Sequence, residues 1–192
     1  IRIIANMIKS SSRRYARFIA LQRNNQIQNV SGIEKDTSSQ WVSTYSMLTQ
    51  AHAKKHIITL WLAQELQENR RSEMKERLHR LAISDKEWYQ VQLLINIIKP
   101  LAMLTDLILR TRESLIHRWF IFYDTIIDGL ESQLTQLSDR LGAEQFCSDI
   151  LSATQAAINK IREYCSQSKG PNGLIYNLAT VLDPSNKLLL YR

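Results

Sequence analysis

The chain predicts an all-α protein, and three observations carry that expectation. Only 5 Gly and 3 Pro punctuate 192 residues, so long segments run without the turns a many-stranded architecture needs. Apolar side chains recur at three- and four-residue steps through most of those segments. A hydrophobic content of 44% with 8% aromatics is that of a folded core, not of a disordered tail. At 22.3 kDa the chain can bury one sizeable core. The expected architecture is a bundle of about five principal amphipathic helices.

Residues 1–24 read as one amphipathic helix, with Ile4, Ile8, Tyr15, Phe18 and Leu21 on a common face and arginines between them. Ser10-Ser11-Ser12 can divide it, because serine hydroxyls compete for backbone hydrogen bonds. Residues 24–38 are rich in Asn, Gln, Ser and Gly, and read as a loop with an Asx or Ser cap near its end. A second helix is expected from Ser38 or Ser39 to about Gln67, with Trp41, Tyr45, Leu48, Trp61 and Leu62 on a wide apolar stripe. The charged stretch "ENRRSEMKERLHR" reads as a surface turn or a short exposed helix.

In "ISDKEW", Ser84 and Glu87 have the spacing of a capping box, with Ile83 and Trp88 placed for a hydrophobic staple. The third helix follows from there, and Pro100 is expected to kink it near Asn96. A fourth is expected over Glu113–Arg140, broken at Gly142, and a fifth over Ala143–Ser166. Lys169–Gly173 is a turn. The tail reads as a short helix stopping at Asp183-Pro184, although its Leu, Ile, Val and Tyr residues also suit a strand.

The net charge of +7 is unevenly distributed. Residues 1–33 hold Arg2, Lys9, Arg13, Arg14, Arg17 and Arg23 and no acid. That leaves 19 of the 25 Lys and Arg to face 18 acids elsewhere. Such a cluster is the footprint of a phosphate-binding surface, or equally of a solvated helix face. No phosphate-binding glycine loop, serine-nucleophile elbow or zinc-protease helix is present. His52 and His56 are one turn apart, but "AKK" between them supplies no carboxylate, so a polar helix face is expected there and not a metal site. Asp124 and Asp128 read as exposed helix charges. Cys147 and Cys165 read as buried small hydrophobes, and two thiols without a disulfide framework suggest a reducing compartment. No run of about 18 apolar residues is present, so no bilayer span is expected. The missing initiator Met suggests a piece of a longer protein without a signal peptide.

Trp41, just past "DTSSQ", has two readings: a core anchor, or a ring kept for stacking an unpaired base. Here the sequence resembles the hAT superfamily of DNA transposases. "DTSSQWVSTYSML" is similar to the family's Asp-x-x-Thr-Arg-Trp-Asn-Ser-Thr-Tyr-x-Met-Leu, with Gln40 and Val42 replacing its Arg and Asn. "LAISDKEW", "LINIIKPLAMLTDLI", "FIFYDTIIDGLE", "AINKIREYCSQS" and "LIYNLATVLDPSNKLLLY" follow in the family's order, with Ser185 where the family has Arg.

The resemblance implies that residues 1–192 are the all-helical insertion of a ribonuclease-H-like transposase of fungal type. Its catalytic acids, BED zinc finger and C-terminal dimerisation region would lie outside them. It implies a nuclear, non-catalytic portion with no cofactor of its own, the whole family member using zinc and a divalent metal such as Mg. The implied partner is DNA at transposon ends, with homo-oligomers formed elsewhere, no membrane and no small-molecule substrate. By the same resemblance Trp41 would stack a flipped base. Arg13, Arg14, Arg17, Lys54 and Lys55 complete the candidate DNA-contacting set. The competing expectation is a structural or protein-interaction domain from a degenerate or domesticated copy.

Overall fold

The computed structural model describes residues 1–37, 41–111, 115–140, 145–167 and 173–183. Among the described residues every regular element is helical. The helices are α1 Arg2–Lys9, α2 Ser12–Asn24, α3 Trp41–Ala53, α4 Lys55–Glu68, α5 Ser72–His79 and α6 Asp85–Arg110. A 3-10 turn at Ile116–Arg118 leads into α7 Trp119–Arg140, followed by α8 Gln145–Gln167 and α9 Leu174–Leu182. The all-α class stands, but nine described α-helices replace the expected five or so.

Two of the breaks have identifiable causes, one local and one tertiary. Ser10 closes α1 with its amide on the Asn6 carbonyl and its hydroxyl on the Met7 carbonyl at 2.9 Å, and Ser11 is extended at φ −142°. The serine triplet therefore does divide the first segment. The second break is at Lys54, which leaves helical geometry at φ −108°, ψ 20°. Its ammonium donates to the Ser31 carbonyl at 2.8 Å and to Ser31 Oγ at 2.6 Å, so a tertiary contact turns the chain where periodicity alone runs on. The charged stretch forms α5, and the tail forms α9, not a strand. The expected boundaries at Glu113, Gly142, residues 169–172 and Pro184 lie outside the described residues.

The chain divides into two compact units, Ile1–Ile98 and Lys99–Arg192. In the first, α1 packs on α2, α2 on α4 and α5 on α4. Ile4, Ile8, Phe18, Ile57, Ile58, Trp61, Leu78 and Trp88 form one core, in which Phe18 meets Trp61 edge-on at 6.4 Å. The connection over residues 25–37 is fastened at several points. Ile33 is fully buried, and the buried Gln22 amide donates to the Ser31 carbonyl at 2.9 Å while its oxygen accepts the Ser31 amide at 3.1 Å. The capping box forms: the Ser84 amide reaches Glu87 Oε2 at 2.8 Å and the Glu87 amide reaches Ser84 Oγ at 3.3 Å. Trp88 enters the core, and Ile83 packs against the same cluster.

In the second unit α7 packs along α8, burying Leu130, Leu137, Cys147, Ile150, Ile158 and Cys165, and both thiols are free. α9 packs on the 3-10 turn through Thr180, whose hydroxyl donates to the His117 carbonyl at 3.2 Å, and on the start of α7 through Tyr176, stacked on Trp119 at 5.3 Å. Pro100 sits inside α6, which continues to Arg110. A Cβ on Gly129 would come within 3.0 Å of the Pro100 ring, so only glycine permits α7 to approach there without crowding. The helix α6 is also long and apolar enough, by length and a mean hydropathy of 1.6 over 18 residues, to cross a membrane. The expectation of no such helix rested on uninterrupted apolar runs, which scattered polar residues conceal. Trp88 and Ile95 of α6 are core residues of the first unit.

Candidate nucleic-acid interface

Trp41 is the first described residue of α3, and 60% of it is exposed. The core-anchor reading of this residue is thereby overturned: the apolar face of α3 is carried by Met47, Leu48 and Ala51 instead. The ring lies at the start of the helix because the chain upstream is folded back onto the first turns. Asp36 accepts hydrogen bonds from Thr44 Oγ1 at 2.7 Å and from Ser43 Oγ at 3.2 Å, and the Thr37 amide donates to Ser43 Oγ at 3.0 Å. Asp36 also accepts from Arg2 Nε at 2.9 Å. The Thr44 hydroxyl, together with the Arg2 guanidinium and Ser43, holds the Asp36 carboxyl below the ordinary carboxylate range against the cost of burying it.

This network brings a cation to the mouth of α3 that sequence spacing does not reveal. Arg2 is distant from Trp41 in sequence, and its side chain remains mostly exposed while paired with Asp36. The signal in the sequence was a lone acid, Asp36, beside hydroxyl residues that can only donate to it.

The other candidate cations are placed differently from one another. Arg13 is largely exposed, with Nη2 at 3.4 Å from Glu68 Oε2. Arg14 Nε lies 3.1 Å from Glu65 Oε2, Arg17 pairs with both Glu65 and Glu68, and the Arg14 and Arg17 side chains are mostly covered. Glu65 is itself buried. The positive excess of the opening segment is thus partly neutralised within the first unit, by two acids some fifty residues away in sequence. Lys54 is buried in the contact with Ser31 described above, and burial pushes its ammonium below the usual lysine range. Lys55, next to it, is exposed at the start of α4. Among the described residues no three His, Cys, Asp or Glu side chains gather as a metal site. His52 instead packs edge-on against Trp88 at 6.1 Å, while His56, Asp124 and Asp128 are exposed.

Two further surface features accompany these residues, one in each unit. A cleft of about 410 Å³ in the first unit is lined by Arg71, Glu73, Met74, Glu76, Arg77 and Arg80. An apolar groove of about 190 Å³ in the second lies between Leu101, Leu104 and Ile108 of α6 and Trp119, Phe122 and Ile126 of α7.

The described residues are helical, with an exposed indole at the start of α3 and arginines of the opening segment paired to acids of α4. Residues 1–97 match the family model of the ZBED1 RNase-like helical domain, and the chain belongs to that family, which is hAT-related. The match ends one residue before the boundary of the first compact unit. The chain is also 26% identical over 188 residues to the Talaromyces stipitatus protein named "Putative transcriptional regulator tpeD". That alignment covers 98% of this chain and 18% of the fungal protein, so the chain corresponds to under a fifth of its relative's length. No solved structure matches.

Proposed function

We propose that this chain is the DNA-contacting helical portion of a hAT-like protein of fungal type, and that Trp41 stacks an extruded base. The single observation that carries the reading is the exposure of Trp41 at the start of α3, where a large apolar ring is left in water. Stacking a base on such a ring is worth about 1–3 kcal/mol and is indifferent to sequence. Arg2, Arg13 and Lys55 are exposed cations that can meet phosphates beside it, joined in part by Arg14 and Arg17. Lys54 drops out of the contact set and becomes a structural residue.

The portion is non-catalytic in this reading. The parent protein would supply metal-binding acids, a zinc finger and oligomer contacts from outside these residues, and would act in the nucleus on transposon ends. The name of the Talaromyces relative favours a domesticated descendant that regulates transcription over an active element. The test is fluorescence anisotropy with the whole chain and labelled duplexes at about 50 mM salt, where phosphate contacts are strong. Salt-sensitive binding with a preference for a duplex end carrying an unpaired base is the expected result. Absence of any binding would leave the second reading, a scaffold without nucleic-acid contact. The internal pairing of Arg14 and Arg17 with Glu65 favours that second reading.

A further inference from the structure

We infer that residues 70–80, α5 with the residues that flank it, form a second contact, one that holds the phosphate backbone of duplex DNA. The inference rests on the DNA-contacting reading above but uses none of the residues assigned there. Residues 70–80 carry Arg70, Arg71, Lys75, Arg77 and Arg80, all exposed, against Glu73 and Glu76. Among the described residues Arg70, Arg71, Lys75 and Arg77 make no ion pair, whereas Arg14 and Arg17 are occupied by buried or half-buried acids. Arg80 pairs with Glu76 at 4.0 Å with both side chains mostly in water, so this pair contributes little and opens readily.

The cations also have a shape. Arg71, Arg77 and Arg80 line the cleft of about 410 Å³, whose apolar side is Met74. On its other side α5 is anchored by Leu78, which is fully buried, so the helix is held while its basic face stays free. At about 1.5 Å per residue, Arg71 to Arg80 covers roughly 13 Å. Measured along the duplex axis, one strand carries a phosphate about every 3.4 Å, so that span laid along the axis faces several of them. Glu73 and Glu76 lie within the same cleft and oppose the contact, which gives the inference a second direction in which to be tested.

The experiment uses the whole chain and a short blunt duplex with every base paired, so that Trp41 has nothing to stack. Binding is measured across a salt series. Replacing Arg71→Gln, Arg77→Gln and Arg80→Gln together should weaken binding at least about tenfold, and flatten the slope of log affinity against log salt by about 0.9 for each phosphate no longer neutralised. Glu73→Gln with Glu76→Gln should tighten binding a few-fold, a gain that a damaged fold cannot produce. Parent-like affinity and slope in the triple-arginine variant would overturn the α5 contact while leaving the DNA reading intact. No binding by the parent chain would remove both. Tighter binding of poly-glutamate than of the duplex at equal charge would also overturn it, by making the cleft a site for acidic peptides.

Discussion

Arg14 Nε donates to Glu65 Oε2 across 3.1 Å, tying the basic opening segment to a carboxylate that lies buried in α4. The same carboxylate takes Arg17, which also reaches Glu68. A segment that carries only positive charge along its sequence is therefore partly balanced in space, and two of its arginines hold helices together. Charge counted by residue number is a poor guide to charge presented at a surface.

The first consequence concerns stability. Glu65→Gln removes the acid shared by two mostly covered guanidinium groups, leaving Arg14 without its partner and Arg17 with Glu68 alone. Removing one partner of a buried ion pair costs about 3–5 kcal/mol, and the partial exposure of Arg14 and Arg17 puts the expected loss near the lower end. Urea unfolding of the first unit's core measures it. Arg13→Gln, at an exposed pair, should change stability by less than about 1 kcal/mol.

Lys54 separates a structural cation from a DNA-contacting one. Its ammonium is held by Ser31, so Lys54→Ala removes two charge-assisted hydrogen bonds, leaves the Ser31 carbonyl to Gln22 alone and should cost about 1–3 kcal/mol. DNA affinity, measured well below the melting temperature, should stay at the parent value. Lys55→Ala should do the reverse, preserving the melting temperature and weakening DNA binding as salt is varied.

Acid should weaken the fold in two windows. His52 is held below its ordinary value of 6.5, first by burial and then by Lys55, so the neutral ring is the form packed on Trp88. A lowered folded-state value means that its contribution is complete above about 6.5 and is lost as pH falls below it. Asp36, held below 3.8 chiefly by the Thr44 hydroxyl, contributes fully above that value and loses its contribution below it. Melting temperature against pH should decline in both windows. His52→Gln should remove the upper decline and Asp36→Asn the lower, and a curve flat across both contradicts the assignments.

Much of the architecture was legible because it is local. The Ser84–Glu87 capping box and the serine break at Ser10–Ser11 each depend on neighbours within a few residues. What the sequence concealed is long-range. The break at Lys54 needs Ser31, the neutralisation of Arg14 and Arg17 needs Glu65 and Glu68, and the guanidinium at the mouth of α3 comes from Arg2 through Asp36. Trp41 illustrates the limit most clearly. Periodicity put it on the apolar stripe of α3, yet the stripe turns inward further along at Met47 and Leu48, leaving the first residue of the helix outside.

The most direct measurement compares two DNA ends, one fully paired and one with an unpaired base, before and after Trp41→Ala. The ring is exposed, so the substitution should change the fold's stability by no more than about 0.5 kcal/mol. The expected result is a selective loss of about 5- to 150-fold on the unpaired-base end, the equivalent of about 1–3 kcal/mol of stacking, with affinity for the paired end unchanged. Equal affinities of parent and variant for both ends would contradict the proposed role of the indole.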